Sequence, residues 1–449
     1  MVTTDVAARA PSSGAAGRTG RAAIAWSVVA LGAWALLLVV ARLWGRALLD
    51  DGHVLRLGAP PLVGWDDWRP SVRLLAPLAA AALVVLVGPR LASRRPWRVV
   101  LAGAVAATAL WAVALALVDG VEGITRPLVL PGDEYLLDVP SVGSAGDFLA
   151  SFTDEIDGYV THVRSHPPGM LLLLWSMDRI GLGGTGWAAV LCIGGGAMAV
   201  AAVLVALRDV AGERLARAAA PFVVLAPAAL WIATTADAFF AGVGAWAVTL
   251  LVLATGRRDG RGDLYAVGSG LLFGAALMLS YGLVLLALLP GAVALHRRRV
   301  RPLVLGAVAA VAVLAAFAVA GFWWPEGLRV TRREYLESVA RTRPFRYFVV
   351  ANLAAFGLAL GPAVAVGLAR LREARVWLLV GAALVAVVVA DLSGMSKGEV
   401  ERIWLPFALW VLPAGVALAV RRPAVAVRGW LALQAGVALL VQTGVRTRW

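Results

Sequence analysis

Runs of about 20 apolar residues, broken by short polar or arginine-bearing turns, recur from near residue 22 to near residue 445. Each can cross a hydrocarbon layer of roughly 30 Å at about 1.5 Å per helical residue. Lipid offers backbone amides and carbonyls no water to bond, so a spanning run must satisfy them within itself. The runs are therefore read as helices rather than strands. The pattern predicts spans near 22–44, 72–89, 99–118, 187–207, 215–232, 237–255, 264–280, 282–296, 302–322, 347–370, 376–392, 403–420 and 428–445, about 13 in all.

One apolar run breaks the rule. Residues 170–182 (MLLLLWSMDRIGL) are short and carry Asp178 and Arg179, which suits a helix lying at the interface better than a span. The expected fold is thus all-α: a polytopic membrane helical bundle, with a folded external loop over 119–186 containing this interfacial helix. A disordered cytoplasmic tail is expected over 1–21 and a single transmembrane domain over 22–449. The first apolar run is too long for a cleaved signal peptide and is read as an anchor.

Composition agrees. The chain is 61% hydrophobic and 15% charged, with mean hydropathy +0.83, whereas soluble domains carry roughly 25% charged residues. The net charge of +14 does not indicate a nucleic-acid partner, because the arginines sit in short clusters between spans. Placing the N-terminus in the cytoplasm puts the clusters at 90–98, 208–217, 257–261, 297–301, 370–375 and 421–428 inside, as the positive-inside tendency requires. This orientation, in a plasma membrane, leaves the 119–186 loop outside. Lys397 is the sole lysine, and with abundant Ala, Gly and Val this suggests a GC-rich bacterial genome. One cysteine, Cys192, permits neither a disulfide framework nor a thiolate metal site.

Three polar constellations stand at the outer ends of spans. Asp133 and Glu134, followed by Tyr135, leave a span as paired acids; partial dehydration there raises a carboxylate pKa toward neutrality, which suits a general base or a metal ligand. The same residues could form a solvated turn. His162 and His166 flank a stretch ending Pro167-Pro168-Gly169. Imidazoles can hold a phosphate or move a proton, but the pair lacks the setting of a zinc site. Lys397, Glu399, Glu401 and Arg402 crowd the mouth of another span. Charge so close to lipid must be paired or face a cavity, and Arg402 or Lys397 could hold an anionic phosphate. Asp237, at a tight turn, reads first as a helix cap. The arginines of 329–346 run against the charge trend and suggest contact with lipid phosphate. No Walker A or HExxH pattern is present, so nothing supports P-loop nucleotide hydrolysis or zinc-peptidase chemistry.

The order of these features resembles the GT-C superfamily of integral-membrane glycosyltransferases: an acidic pair leaving a span, a folded loop, His-Pro-Pro-Gly (166–169) opening an interfacial helix, then a basic turn and Asp237. Protein O-mannosyltransferases, aminoarabinose transferases and actinobacterial arabinosyl- and mannosyltransferases share this plan. The resemblance covers roughly residues 99–320, with 397–402 as a further contributor. It departs where two helices precede the acidic loop, and Asp50, Asp51, Asp66 and Asp67 offer a second acidic loop. The resemblance implies inverting transfer of a sugar, of arabinose or mannose type, from a polyprenyl-phosphate donor to an envelope glycan, lipid or protein acceptor. Asp133 or Glu134 would be the base, and His166, Lys397 and Arg402 would hold the donor phosphate. His162, Tyr135, Asp237, Glu399 and Glu401 are further candidates. A divalent metal (Mg or Mn) is compatible, though two acids do not require it. The alternative classes are a secondary transporter or lipid flippase, for which midplane charge is expected, and a non-catalytic envelope assembly protein.

Overall fold

A computed structural model describes residues 13–420 and 422–449. Residues 1–12 of the expected tail and Arg421 of the last basic turn lie outside them. The first helix runs Ser13–Asp50.

Among the described residues, nine helices are long and apolar enough to cross a membrane: Ala23–Asp50, Val72–Arg94, Trp97–Asp119, Gly184–Ala211, Ala236–Thr255, Gly260–Leu279, Arg301–Val319, Ala374–Leu392 and Ala424–Gly444. The chain is an all-α polytopic bundle. Four expected spans are interrupted instead. The run at 215–232 is a helix, Glu213–Val224, followed by a 3-10 turn, Pro227–Trp231. The run at 282–296 begins as the 3-10 turn Tyr281–Ala287. Helices Phe345–Leu360 and Pro362–Arg370 meet at 96°. The last breaks into Val400–Ile403, Leu405–Val411 and the 3-10 turn Leu412–Leu418.

Proline accounts for much of this: Pro227, Pro362, Pro406 and Pro413 each open a new segment, and none has an N–H to continue a helix. Irregular backbone survives at membrane depth only where protein surrounds it. Every residue from Pro221 to Ala238 and from Trp404 to Val416 is buried. At the 96° bend, Gln434 repairs the freed backbone: its Oε1 accepts from Ala363 N–H at 3.0 Å and its Nε2 donates to the Leu360 carbonyl. Gly361 adopts φ +80° beside that amide, and a Cβ there would lie 2.6 Å from it.

At the centre, Gly184–Ala211 crosses Ala236–Thr255 through facing glycines. A Cβ on Gly242 would fall 2.5 Å from the Gly195 carbonyl, the close approach that small residues permit between membrane helices. The basic turns join at one end of the bundle. Arg217 donates to the carbonyls of Ala92 and Arg95, Arg297 pairs with Asp209 at 2.8 Å, and Arg299 donates to the Arg257 carbonyl.

At the other end the 119–183 loop is folded from short helices and 3-10 turns. The short apolar run is the helix Gly169–Arg179, 11 residues long. Phe152 stacks on Tyr159, Phe148 meets both edge-on, and Phe152 meets Phe322 at 5.6 Å, fastening the loop to the end of a distant span. A two-stranded antiparallel ribbon closes this end: β1 (Gly64–Asp66) pairs with β2 (Val445–Thr447), with Trp65 opposite Arg446. That pairing aims Arg448 and Trp449 at the loop.

Candidate active site

The acidic pair sits on a tight turn. Asp133 and Glu134 N–H groups donate to the Leu130 carbonyl, and Gly132 takes φ +78°. The carbonyls this turn turns outward are received by the histidine segment: Thr161 N–H donates to Gly132 and His162 N–H to Asp133, each at 3.0 Å. Two motifs nearly 30 residues apart are thereby locked together.

Side chains complete the contact. Glu134 Oε1 lies 3.2 Å from His162 Nδ1 and accepts from Trp449 Nε1 at 3.0 Å. Arg402 Nη2 lies 2.9 Å from His162 Nε2. A guanidinium has only donors, so His162 Nε2 must accept, which leaves the proton on Nδ1 to be donated to Glu134. Arg402 also donates to Asp237 Oδ2 at 2.8 Å and to Glu399, and its plane lies over Trp449 at 4.1 Å. One continuous chain thus runs from Asp237 through Arg402 and His162 to Glu134.

Its neighbours hold it rigidly. Asp237 does not serve as the cap of its helix; Thr235 occupies that position, and Asp237 meets Arg402 instead. Glu399 follows Gly398 in a left-handed turn, φ +63° and +96°. Asn352 fixes that turn, accepting from Gly398 N–H at 3.1 Å and donating to Asp391 and the Ser396 carbonyl.

Electrostatics follow from this packing. Burial alone would raise the Glu134 carboxyl, but His162, Arg402 and Trp449 outweigh it and hold it below the usual range. Glu399 behaves alike, burial being overcome chiefly by Arg402. Burial would lower Arg402, yet Glu399, Asp237 and Glu134 raise it further above its ordinary value. His166 is pushed down to about 4, mainly by burial; its Nδ1 lies 2.9 Å from the His162 carbonyl and its ring rests against Tyr135 and Phe240. Burial also drives Tyr135 well upward, and its hydroxyl has no partner among the described residues. Glu401 makes no ion pair with the cluster among the described residues and is raised to about 7, first by burial.

The structure therefore brings Glu134, Tyr135, His162, His166, Asp237, Glu399 and Arg402 together. Asp133 stands at their edge, paired with Arg448 at 2.7 Å. Lys397 does not join them; its Nζ donates to the carbonyls of Ala340 and Arg343. The three cations expected to hold a donor phosphate are thus otherwise engaged, since His166 is neutral and Arg402 is enclosed by acids. Of the basic segment 329–346, Arg343 is buried against Phe348 and donates to the Leu55 carbonyl.

Sequence reasoning missed Trp449, Arg448 and Asn352. It also missed a cavity of about 460 Å³ lined by Trp65, Asp119, Glu122, Arg126, Arg446 and Arg448 among others. Trp449 lines both this cavity and a void of about 10 Å³ beneath it, enclosed by Glu134, Tyr135, both histidines, Asp237 and Arg402. Such a void has room for about one water molecule. A divalent ion does not fit the donor set. Among the described residues no three His, Cys, Asp or Glu side chains are placed to ligate one, and the nearest oxygens are taken by Arg402.

No protein-family model and no curated protein matches the chain. Among solved structures it is similar to the apo oligosaccharyltransferase of Archaeoglobus fulgidus, at 14% identity and TM-score 0.43, covering 79% of this chain and 57% of that one. The same enzyme in complex with Zn and sulfate gives 16% identity and TM-score 0.41, covering 77% and 53%. Its complex with an inhibitory peptide and a dolichol-phosphate gives 14% and 0.41, covering 77% and 56%. The chain spans a little over half the length of these structures, and at this level of likeness nothing about the site follows from them.

Proposed function

We propose that this chain is a membrane glycosyltransferase, moving a sugar from a polyprenyl-phosphate donor to an acceptor hydroxyl at the external face, with inversion. The observation that carries the reading is Glu134. It is a buried carboxylate kept ionised, with both its donors on Oε1 and Oε2 unbonded among the described residues.

In the proposed step, the acceptor oxygen attacks the anomeric carbon while the bond from that carbon to the phosphate oxygen breaks. The electron pair leaves with the lipid phosphate, and the acceptor proton passes to Glu134 Oε2. A base must be ionised at working pH to accept a proton, and His162, Arg402 and Trp449 secure this. Asp133, at the rim with Arg448, is the second candidate for the same role.

The leaving phosphate is assigned to the 460 Å³ cavity. Arg126 and Arg446 line it and make no ion pair among the described residues, and guanidinium forks suit phosphate oxygens. Trp65 supplies an exposed aromatic face. The sugar is of arabinose or mannose type on the family resemblance, and the acceptor an envelope glycan, lipid or protein.

Membranes containing the chain, supplied with labelled polyprenyl-phosphate sugar, test this. Glu134→Gln should lower transfer by about 10²–10⁴-fold, the usual worth of a general base. Undiminished transfer in both Glu134→Gln and Asp133→Asn would remove the base assignment. The interrupted helices around the site favour a second reading, a transporter, since broken spans commonly line translocation sites. Donor movement across vesicles without product would support it.

A further inference from the structure

We infer that Arg402 is the resident cation of this site, its guanidinium holding the position among Glu134, Asp237 and Glu399 that a divalent ion would otherwise need. The site therefore works without metal. This deepens the reading above, but it concerns cation binding and can be tested apart from transfer.

Asp237, Glu399 and His162 all meet Arg402, and donors of these kinds are the raw material of a metal centre. A divalent ion would draw their oxygens and nitrogens to about 2.0–2.6 Å. Here the same lone pairs are already committed. Asp237 Oδ2 accepts from Nη1 at 2.8 Å, Glu399 Oε2 from Nη2, and His162 Nε2 from Nη2 at 2.9 Å. The guanidinium cannot join a coordination shell, because it has no lone pair to give. Nor can it step aside: only 5% of its side chain is exposed, and Trp449 covers its face.

The fit of charge and shape explains why Arg and not Lys stands here. Its planar fork meets three partners at once through its two terminal nitrogens, whereas an ammonium is a point charge that cannot span them. The void beside it is lined by Glu134 and Asp237 as well as by Arg402. Two buried polar atoms near it, Tyr135 Oη and Arg402 Nε, lack partners among the described residues. A guanidinium keeps its charge at every working pH, so the electrostatic role persists where a chelator would strip a metal.

Mn²⁺ binding to the purified full chain in detergent decides the matter, followed by electron paramagnetic resonance and by metal content after dialysis. Wild type should take up no stoichiometric Mn²⁺. Arg402→Ala, which vacates the cage, should bind about one ion per chain by the ligand-count argument, and adding Asp237→Asn should abolish that uptake. Stoichiometric Mn²⁺ in wild type that Asp237→Asn removes would overturn the inference, and this arm needs no Arg402 variant to fold. A folded Arg402→Ala that binds no Mn²⁺ would overturn it too, because the acids would then not form a cation site. Loss of transfer in either variant bears on the glycosyltransferase reading and leaves the metal result unchanged.

Discussion

Arg402 Nη1 lies 2.8 Å from Asp237 Oδ2, although 165 positions separate the two residues. The pair ties the interrupted segment at 400–418 to the helix Ala236–Thr255, and both side chains are almost wholly buried. Removing one member of a buried pair leaves an uncompensated charge and typically costs about 3–5 kcal/mol. Asp237→Asn should therefore lower thermal stability in detergent clearly. Arg402→Met should cost more, because it also strands Glu399 and Glu134, and the double variant should lose less than the two singles added together. A double variant no more stable than the sum of the singles would show that the two residues act independently.

Glu134 sets the acid side of the pH profile. Its folded-state pKa lies below the ordinary carboxylate value, so protonation, and with it loss of the base, sets in only as pH falls through that depressed value. His166, at about 4, is neutral through the physiological range and adds no limb there. The rate of transfer under limiting donor should stay flat from pH 7 down to about 5, where an ordinary histidine would already have titrated. An acid limb centred near pH 6.5 would assign the critical proton to a histidine instead.

The indole of Trp449 links that base to the cavity. Trp449→Phe keeps an aromatic face over Arg402 but deletes the N–H that Glu134 accepts. A hydrogen bond to a charged group contributes about 1.5–3 kcal/mol, so Glu134 should lose part of its depression and the acid limb should move upward. Trp449→Ala also strips the guanidinium of its ring contact and opens the partition between cavity and void. Donor analogue binding, measured by fluorescence quenching, should change more in Trp449→Ala than in Trp449→Phe. Equal responses would show that the ring contributes nothing beyond its N–H.

The spans were legible because lipid imposes one rule on backbone, and apolar runs of Ala, Val and Leu obey it visibly. The four interrupted runs were not, since their hydropathy is as high as the others. What breaks them is proline together with tertiary cover, as where Gln434 satisfies both freed groups around Gly361. Within the site, the sequence drew attention to Glu134, His162 and Arg402, which the fold brings together, since charge at a span's mouth must be paired or face a cavity. It did not show which charges cancel. Arg402 and Lys397 look like free cations until the fold encloses one in acids and spends the other on carbonyls. Trp449 carried no signal at all, because a tryptophan at an interface is ordinary.

Glu401 offers the cleanest stability test, because it is buried beside the cluster yet outside its chain of bonds. Its Oε2 has no partner among the described residues, and burial raises the group to about 7. A carboxyl raised above its unfolded value binds its proton more tightly when folded. Its stabilising contribution is thus complete below about pH 4.5 and is lost as pH rises through 7. At pH 8 the wild type bears the cost of an ionised buried acid, on the order of 3 kcal/mol for a shift of this size. Glu401→Gln, which is neutral at every pH, should raise the melting temperature at pH 8 and leave it nearly unchanged at pH 5. A melting temperature lowered equally at both pH values would show that Glu401 contributes through a specific hydrogen bond rather than through its proton.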